Sequence, residues 1–168
     1  MKRFGLKGAL AMGLISAMLV LAGCDRVASG ELQPGQSTVA DMKQKMGEPA
    51  NVYKEGDKEV WEYPLGPEGV RTYMMTVNAQ GTLERIDQVL TEANFKRIQP
   101  GMTITEVRRI LGRNSKEQRF GATPNELTHK YKFNNGSEDQ YFDVTYNADG
   151  RVKEVGFDQF SLQKGSSR

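Results

Sequence analysis

The 168-residue chain is 38% hydrophobic and 26% charged, with a formal charge of +2 and a mean hydropathy of −0.59. Residues 1–23 carry Lys2, Arg3 and Lys7 and no acid, so the remainder holds 20 basic and 21 acidic residues and a charge near −1, which excludes the basic footprint of a nucleic-acid binder. One cysteine excludes an internal disulfide, so core packing alone must hold a chain long enough for one medium domain or two small ones.

In chain order, the first element is a basic start followed by an apolar run from Ala9 to Ala22, broken only by Gly13 and Ser16. This is the layout of a secretory signal with a small-residue cleavage site. Its end, Leu21-Ala22-Gly23-Cys24, resembles the lipobox of bacterial lipoproteins. The resemblance implies a signal peptide over 1–23 and Cys24 as the lipidated first residue of the mature chain, its amino end acylated with a fatty acid such as palmitate. Two acyl chains bind a bilayer stably where one binds marginally. The competing readings are a buried free thiol and an uncleaved membrane helix over residues 4–23. Lys7 lies inside that helix, and its apolar part is short for a span.

A duplication organises the rest. Pro34-Gly35 leads to Thr38 and Asp41 as Pro100-Gly101 leads to Thr103 and Glu106, with one extra residue, Ser37, in the first copy. The segments close on Met46-Gly47 and Leu111-Gly112, and Thr76-Val77-Asn78-Ala79-Gln80-Gly81 echoes Thr145-Tyr146-Asn147-Ala148-Asp149-Gly150. Between them, Trp61-Glu62-Tyr63 is matched with Tyr131-Lys132-Phe133. Landmarks in one order, recurring about 65 to 70 residues apart, mark an internal repeat. The expected divisions are 24–89, 90–160 and a loose tail over 161–168.

Each repeat opens with a capped helix. Thr103 and Glu106 form a capping box with Met102 and Val107 as staple, and Ile104, Val107, Ile110 and Leu111 share one face. Thr38, Asp41, Met42 and Met46 take the same roles, with Asp41 the weaker box partner and fraying expected there. Thr91–Ile98 is a further helix candidate, while Asp25–Leu32 is a degenerate helix or a tether. Strands follow: Thr72–Val77 turning at Gln80-Gly81 into Leu83–Val89, His129–Phe133 turning at Asn135-Gly136, and Tyr141–Tyr146 turning at Asp149-Gly150 into Val152–Phe157. The fold class expected is α+β: two tandem repeats, each one or two helices on a three- to four-stranded antiparallel sheet.

Leu90-Thr91-Glu92-Ala93-Asn94, Ile98, Gly101-Met102-Thr103, Val107 and Leu111-Gly112 resemble the SmpA/OmlA family. Its best-known member is BamE, a lipoprotein of the outer-membrane β-barrel assembly machinery. Trp61-Glu62-Tyr63, Glu68-Gly69-Val70, Asn78 and Gly81 extend the likeness into the first repeat. A tandem pair is similar in architecture to β-lactamase inhibitory protein. The resemblance implies a lipid-anchored, periplasm-facing scaffold in outer-membrane protein assembly or envelope integrity, with envelope proteins as partners. An inhibitor or sensor module gripping a periplasmic enzyme is the alternative. The family member carries an exposed aromatic where this chain has Glu62, so its contact residues are not transferred. The family points to the outer membrane; Asp25, directly after Cys24, favours the inner membrane under the enteric sorting rule.

No catalytic, cofactor or metal site is expected. His129 is the only histidine, set in a strand-like run. Glu138-Asp139 reads as solvated loop charge, and no phosphate loop or nucleophile elbow occurs. Trp61 reads as core, and Met42, Met46, Met74, Met75 and Met102 as packing. The loop Pro64–Gly69 is too long for a tight hairpin, and loops held on a rigid sheet are common binding elements. Tyr63, Leu65, Glu68 and Val70, with Asn135 and Glu138 in the counterpart loop, are therefore the expected partner-binding residues, beside Cys24 for the lipid.

Overall fold

The computed structural model describes residues 31–158. Helix α1 (Val39–Met46) leads into strands β1 (Asn51–Glu55), β2 (Lys58–Leu65), β3 (Arg71–Val77) and β4 (Leu83–Gln88). One turn of helix, α2 (Glu92–Phe95), and helix α3 (Ile104–Leu111) precede β5 (Lys116–Phe120), β6 (Thr123–Asn134), β7 (Asp139–Tyr146) and β8 (Val152–Phe157). The strands form two antiparallel meanders, β1-β2-β3-β4 and β5-β6-β7-β8. The fold is α+β in two tandem repeats.

The repeated motifs are repeated hydrogen bonds. The Thr38 and Thr103 hydroxyls accept from the amides of Asp41 and Glu106, whose carboxylates reach back to the threonine amides at 2.8 and 2.7 Å. Both capping boxes are thus complete. Each Pro-Gly turn docks on its own last strand: Gly35 N–H donates to the Leu83 carbonyl, and Gly101 N–H to the Val152 carbonyl. The cap residues bridge to the same hairpins, Thr38 to Thr82 and Thr103 to Arg151. An irregularity falls at Thr76/Val77 in one sheet and at Thr145/Tyr146 in the other.

One correspondence needs correction. Trp61 stands opposite Met75 on β3, while His129 stands opposite Val144 on β7. Measured from the shared irregularity, Trp61-Glu62-Tyr63 is therefore equivalent to His129-Lys130-Tyr131, two residues before the match expected. A shift of two preserves which face each residue takes, so the alternation alone could not reveal it. The helix expected over Thr91–Ile98 is a single turn, although Phe95 and Ile98 are both buried. Residues 25–30 of the degenerate helix or tether, Cys24 with its signal, and the tail lie outside the described residues.

Leu32, Met42, Trp61, Tyr63, Met75, Val77 and Leu83 form the first core. Leu90, Phe95, Ile98, Val107, Leu111, Tyr131, Phe133, Phe142, Val144, Tyr146 and Val152 form the second, with Phe95 stacked on Phe142 at 4.4 Å. A smaller cluster of Val60, Met74 and Val89 lies on the other face of the first sheet. There the repeats meet. Gly112, past the end of α3, presses against Thr72 and Glu62. Val89 N–H donates to the Thr72 carbonyl, which turns the chain into the second repeat.

Candidate partner-binding rim

The β2–β3 and β6–β7 loops lie at corresponding ends of their sheets, and packing of the repeats brings them together. The β2–β3 loop contains a 3-10 turn, Pro67–Gly69. Its Glu68 carboxylate reaches the second sheet, lying 2.6 Å from Lys116 Nζ on β5 and 3.2 Å from Lys132 Nζ on β6, and accepting from the Tyr141 hydroxyl of β7 at 2.9 Å. Lys132 also lies 3.3 Å from Asp139, where the β6–β7 loop rejoins β7. One ammonium thus links the β2–β3 loop to the first residue of β7, beside the β6–β7 loop. Hydrogen bonds from Lys116, then from Tyr141 and Lys132, hold the Glu68 carboxyl down at about 2. The β6–β7 loop is organised by the Asn135 side chain, which accepts from the Ser137 and Glu138 amides.

The six residues expected at the partner surface take different positions. Asn135 and Glu138 are exposed, and Leu65 and Val70 are half-buried. Tyr63 is 3% exposed on the helix-facing side of β2, and its hydroxyl donates to the Gly47 carbonyl. Burial pushes that hydroxyl up to about 12. Glu68 is engaged by the second repeat. The sequence named residues of both loops but gave no sign that the loops adjoin, because their adjacency comes from packing between repeats.

Two charged residues are buried at equivalent places: Glu62, at the position where the resemblance put an exposed aromatic, and Lys130, which sequence reading passed over. Glu62 is 0% exposed. One of its oxygens accepts from the Arg113 amide at 2.7 Å, and the other from Asn51 Nδ2 and the Tyr53 hydroxyl, each at 2.9 Å. Its equivalent Lys130 is 8% exposed and lies between Asp143 and Asp158, under the ring of Tyr141. A buried charge persists only where partners replace its water: three hydrogen-bond donors do so for Glu62, and two carboxylates for Lys130.

His129 is buried against Tyr146, with Nε2 3.4 Å from Glu117. Burial pushes its imidazole down to about 4, and Arg108 adds to this while Glu117 opposes it. The ring is therefore neutral at pH 7, the structural role expected of it. Trp61 is core, as expected. Among the described residues no cluster of His, Cys, Asp or Glu could hold a metal ion, and no helix is long and apolar enough to cross a membrane.

Residues 88–156 match the family model described as the outer membrane protein assembly factor BamE domain. This chain is similar to a solved structure described as a putative osmotically inducible lipoprotein, OsmE. The identity is 31%, covering 40% of this chain and 70% of that one, with a TM-score of 0.36. A DUF4309 family protein, YjgB, from Bacillus subtilis is 18% identical over 75% of this chain and 80% of that one, with a TM-score of 0.28. At these TM-scores neither superposition carries an argument. No curated protein matches. The family model spans the second repeat from the end of β4 into β8, with its capped α3 and four-stranded meander, and the 31% identical lipoprotein is matched over 70% of its own length; on these two grounds together the chain belongs to the BamE family.

Proposed function

We propose that this chain is a non-enzymatic adaptor of the bacterial envelope, anchored by lipid at Cys24 and facing the periplasm. On this reading it binds barrel-assembly or related envelope proteins through the rim formed by its two loops. The observation that carries it is the juxtaposition of those loops, one from each repeat and joined at Lys132, in a member of an outer-membrane assembly family. Leu65, Val70, Asn135 and Glu138 supply the contact surface. Tyr63 shapes it from beneath by fixing β2 to α1, and Glu68, at the surface, ties the rim to the second sheet. Lipid fixes the rim's height above the bilayer and raises the local concentration of membrane-bound partners, so a weak contact suffices.

The test has two parts. In-cell crosslinking followed by recovery of the chain is expected to return an envelope protein, and repeated recovery of none contradicts the reading. Cys24→Ser is expected to move the protein from the membrane to the soluble fraction. Density-gradient separation then assigns the membrane: the outer is expected, and the inner would mean that Asp25 dominates sorting.

A further inference from the structure

Among the described residues, Glu68 alone of the non-glycines has a left-handed backbone, with φ 59°. A side chain at such a φ is disfavoured and persists only where its surroundings hold it. What holds it is the other repeat, through Lys116, Lys132 and Tyr141 on three adjacent strands. These three are assembled by the second sheet itself. Lys132 and Tyr141 are direct partners across β6 and β7, and Lys116 stands 5.3 Å from the Tyr141 ring. The face is therefore a three-donor cradle for one carboxylate, built without help from the loop that fills it. Lys116 is half exposed and Glu68 about one-third exposed, so solutes reach the cradle from outside.

We infer that this cradle is a binding site for the carboxylate of an acidic segment on a partner protein, and that Glu68 is a resident stand-in which the partner displaces. The inference rests on the rim reading above and names the chemistry of the partner. The present occupant is a single carboxylate on a tight turn, which is the group a protein loop would offer. Asp139 pairs with Lys132 at the cradle, and Asp143 and Asp158 are taken up by Lys130 on the same strand. The cations left for an incoming group are Lys116 and Lys132, which match one carboxylate and not a plane of lipid headgroups. Displacement trades a bond between repeats for a bond between proteins. It releases the strained loop and leaves the Glu62 contact to hold the repeats together.

The experiment uses the full chain and a fluorescent hexaglutamate peptide at low salt. A site occupied in cis nine-tenths of the time binds about tenfold more weakly than the free site. Glu68→Ala is therefore expected to tighten peptide binding by about tenfold, and Glu68→Gln by a smaller factor. Adding Lys116→Ala and Lys132→Ala to the Glu68→Ala chain is expected to abolish the gain. Vesicles of phosphatidylglycerol in phosphatidylcholine are expected to bind all variants equally. The inference is overturned if Glu68→Ala, with an unchanged circular dichroism spectrum, binds the peptide no tighter than the parent. A gain for the vesicles without one for the peptide also overturns it. If in-cell crosslinks from Asn135 persist in either case, the rim reading survives and the cradle alone falls.

Discussion

Gly47 and Gly112 end equivalent helices with nearly identical backbones, φ 79° and ψ −163° against φ 78° and ψ −164°. An added Cβ at Gly47 would meet open space, whereas at Gly112 it would lie 2.7 Å from Thr72 Cγ2 and 3.0 Å from Glu62 Oε1. The duplicated motif thus keeps its local geometry and differs in what lies against it. Caps, turns and strand pairing are set within each repeat. The joint between repeats is made by residues whose equivalents in the other copy meet different neighbours.

The largest expected effect breaks that joint. Gly112→Ala is expected to cost about 3 kcal/mol or more, combining backbone strain with overlap of Thr72 and Glu62. Gly47→Ala carries the strain alone, about 1 to 2 kcal/mol. Denaturant titration of both variants checks the difference, and equal losses would mean that the close approach at Gly112 does not hold the repeats.

Glu62 and Lys130 sharpen the comparison. Glu62→Ala leaves the Arg113 amide, Asn51 and Tyr53 without their acceptor, an expected loss of about 2 to 3 kcal/mol. Lys130→Met keeps the packing and removes the cation between two carboxylates, for about 3 kcal/mol. Thermal melts of each variant measure these losses.

Acid separates the repeats next. His129 occupies the place that Trp61 takes in the first repeat. Its imidazole is lowered from 6.5 to about 4 in the folded state, so between those values the unfolded chain binds a proton that the native chain does not. Stability then falls as pH drops through that window, by about 2 kcal/mol near pH 5. Hydrogen exchange is expected to show protection weakening around Tyr131 and Tyr146 before Trp61 and Met75, and His129→Phe to remove the difference. The Glu68 carboxylate has the opposite ionisation but the same sign. Its lowered value stabilises the clasp above the ordinary carboxylate range, and that contribution is lost as pH falls toward about 2.

The smallest effects are the caps. Thr38→Ala and Thr103→Ala are each expected to cost about 1 kcal/mol. Matching losses in denaturant titrations would show that the two boxes are energetically equivalent, and a smaller loss for Thr38→Ala would show that Asp41 is the weaker partner.

Much of the fold could be read from particular residues. Thr103 with Glu106 marked α3, and Asp149-Gly150 marked the last hairpin, because caps and turns depend on a few neighbouring atoms. Strands β1 and β5 were not placed, since they are edge strands with almost every side chain exposed and carry no alternation. The burial of Glu62 was illegible because its cover, Gly112 and Arg113, lies some 50 residues away. The rim was half legible for the same reason. Each loop announced itself by composition, but Lys132 as the link between them depends on how one sheet meets the other.

The most direct test of the adaptor account places a photo-crosslinking residue at Asn135 on the rim, and separately at Ala148, an exposed position at the opposite end of the second sheet. The account predicts a crosslinked envelope protein from Asn135 and none from Ala148 in living cells. Crosslinks from Ala148 with a silent Asn135 would contradict it.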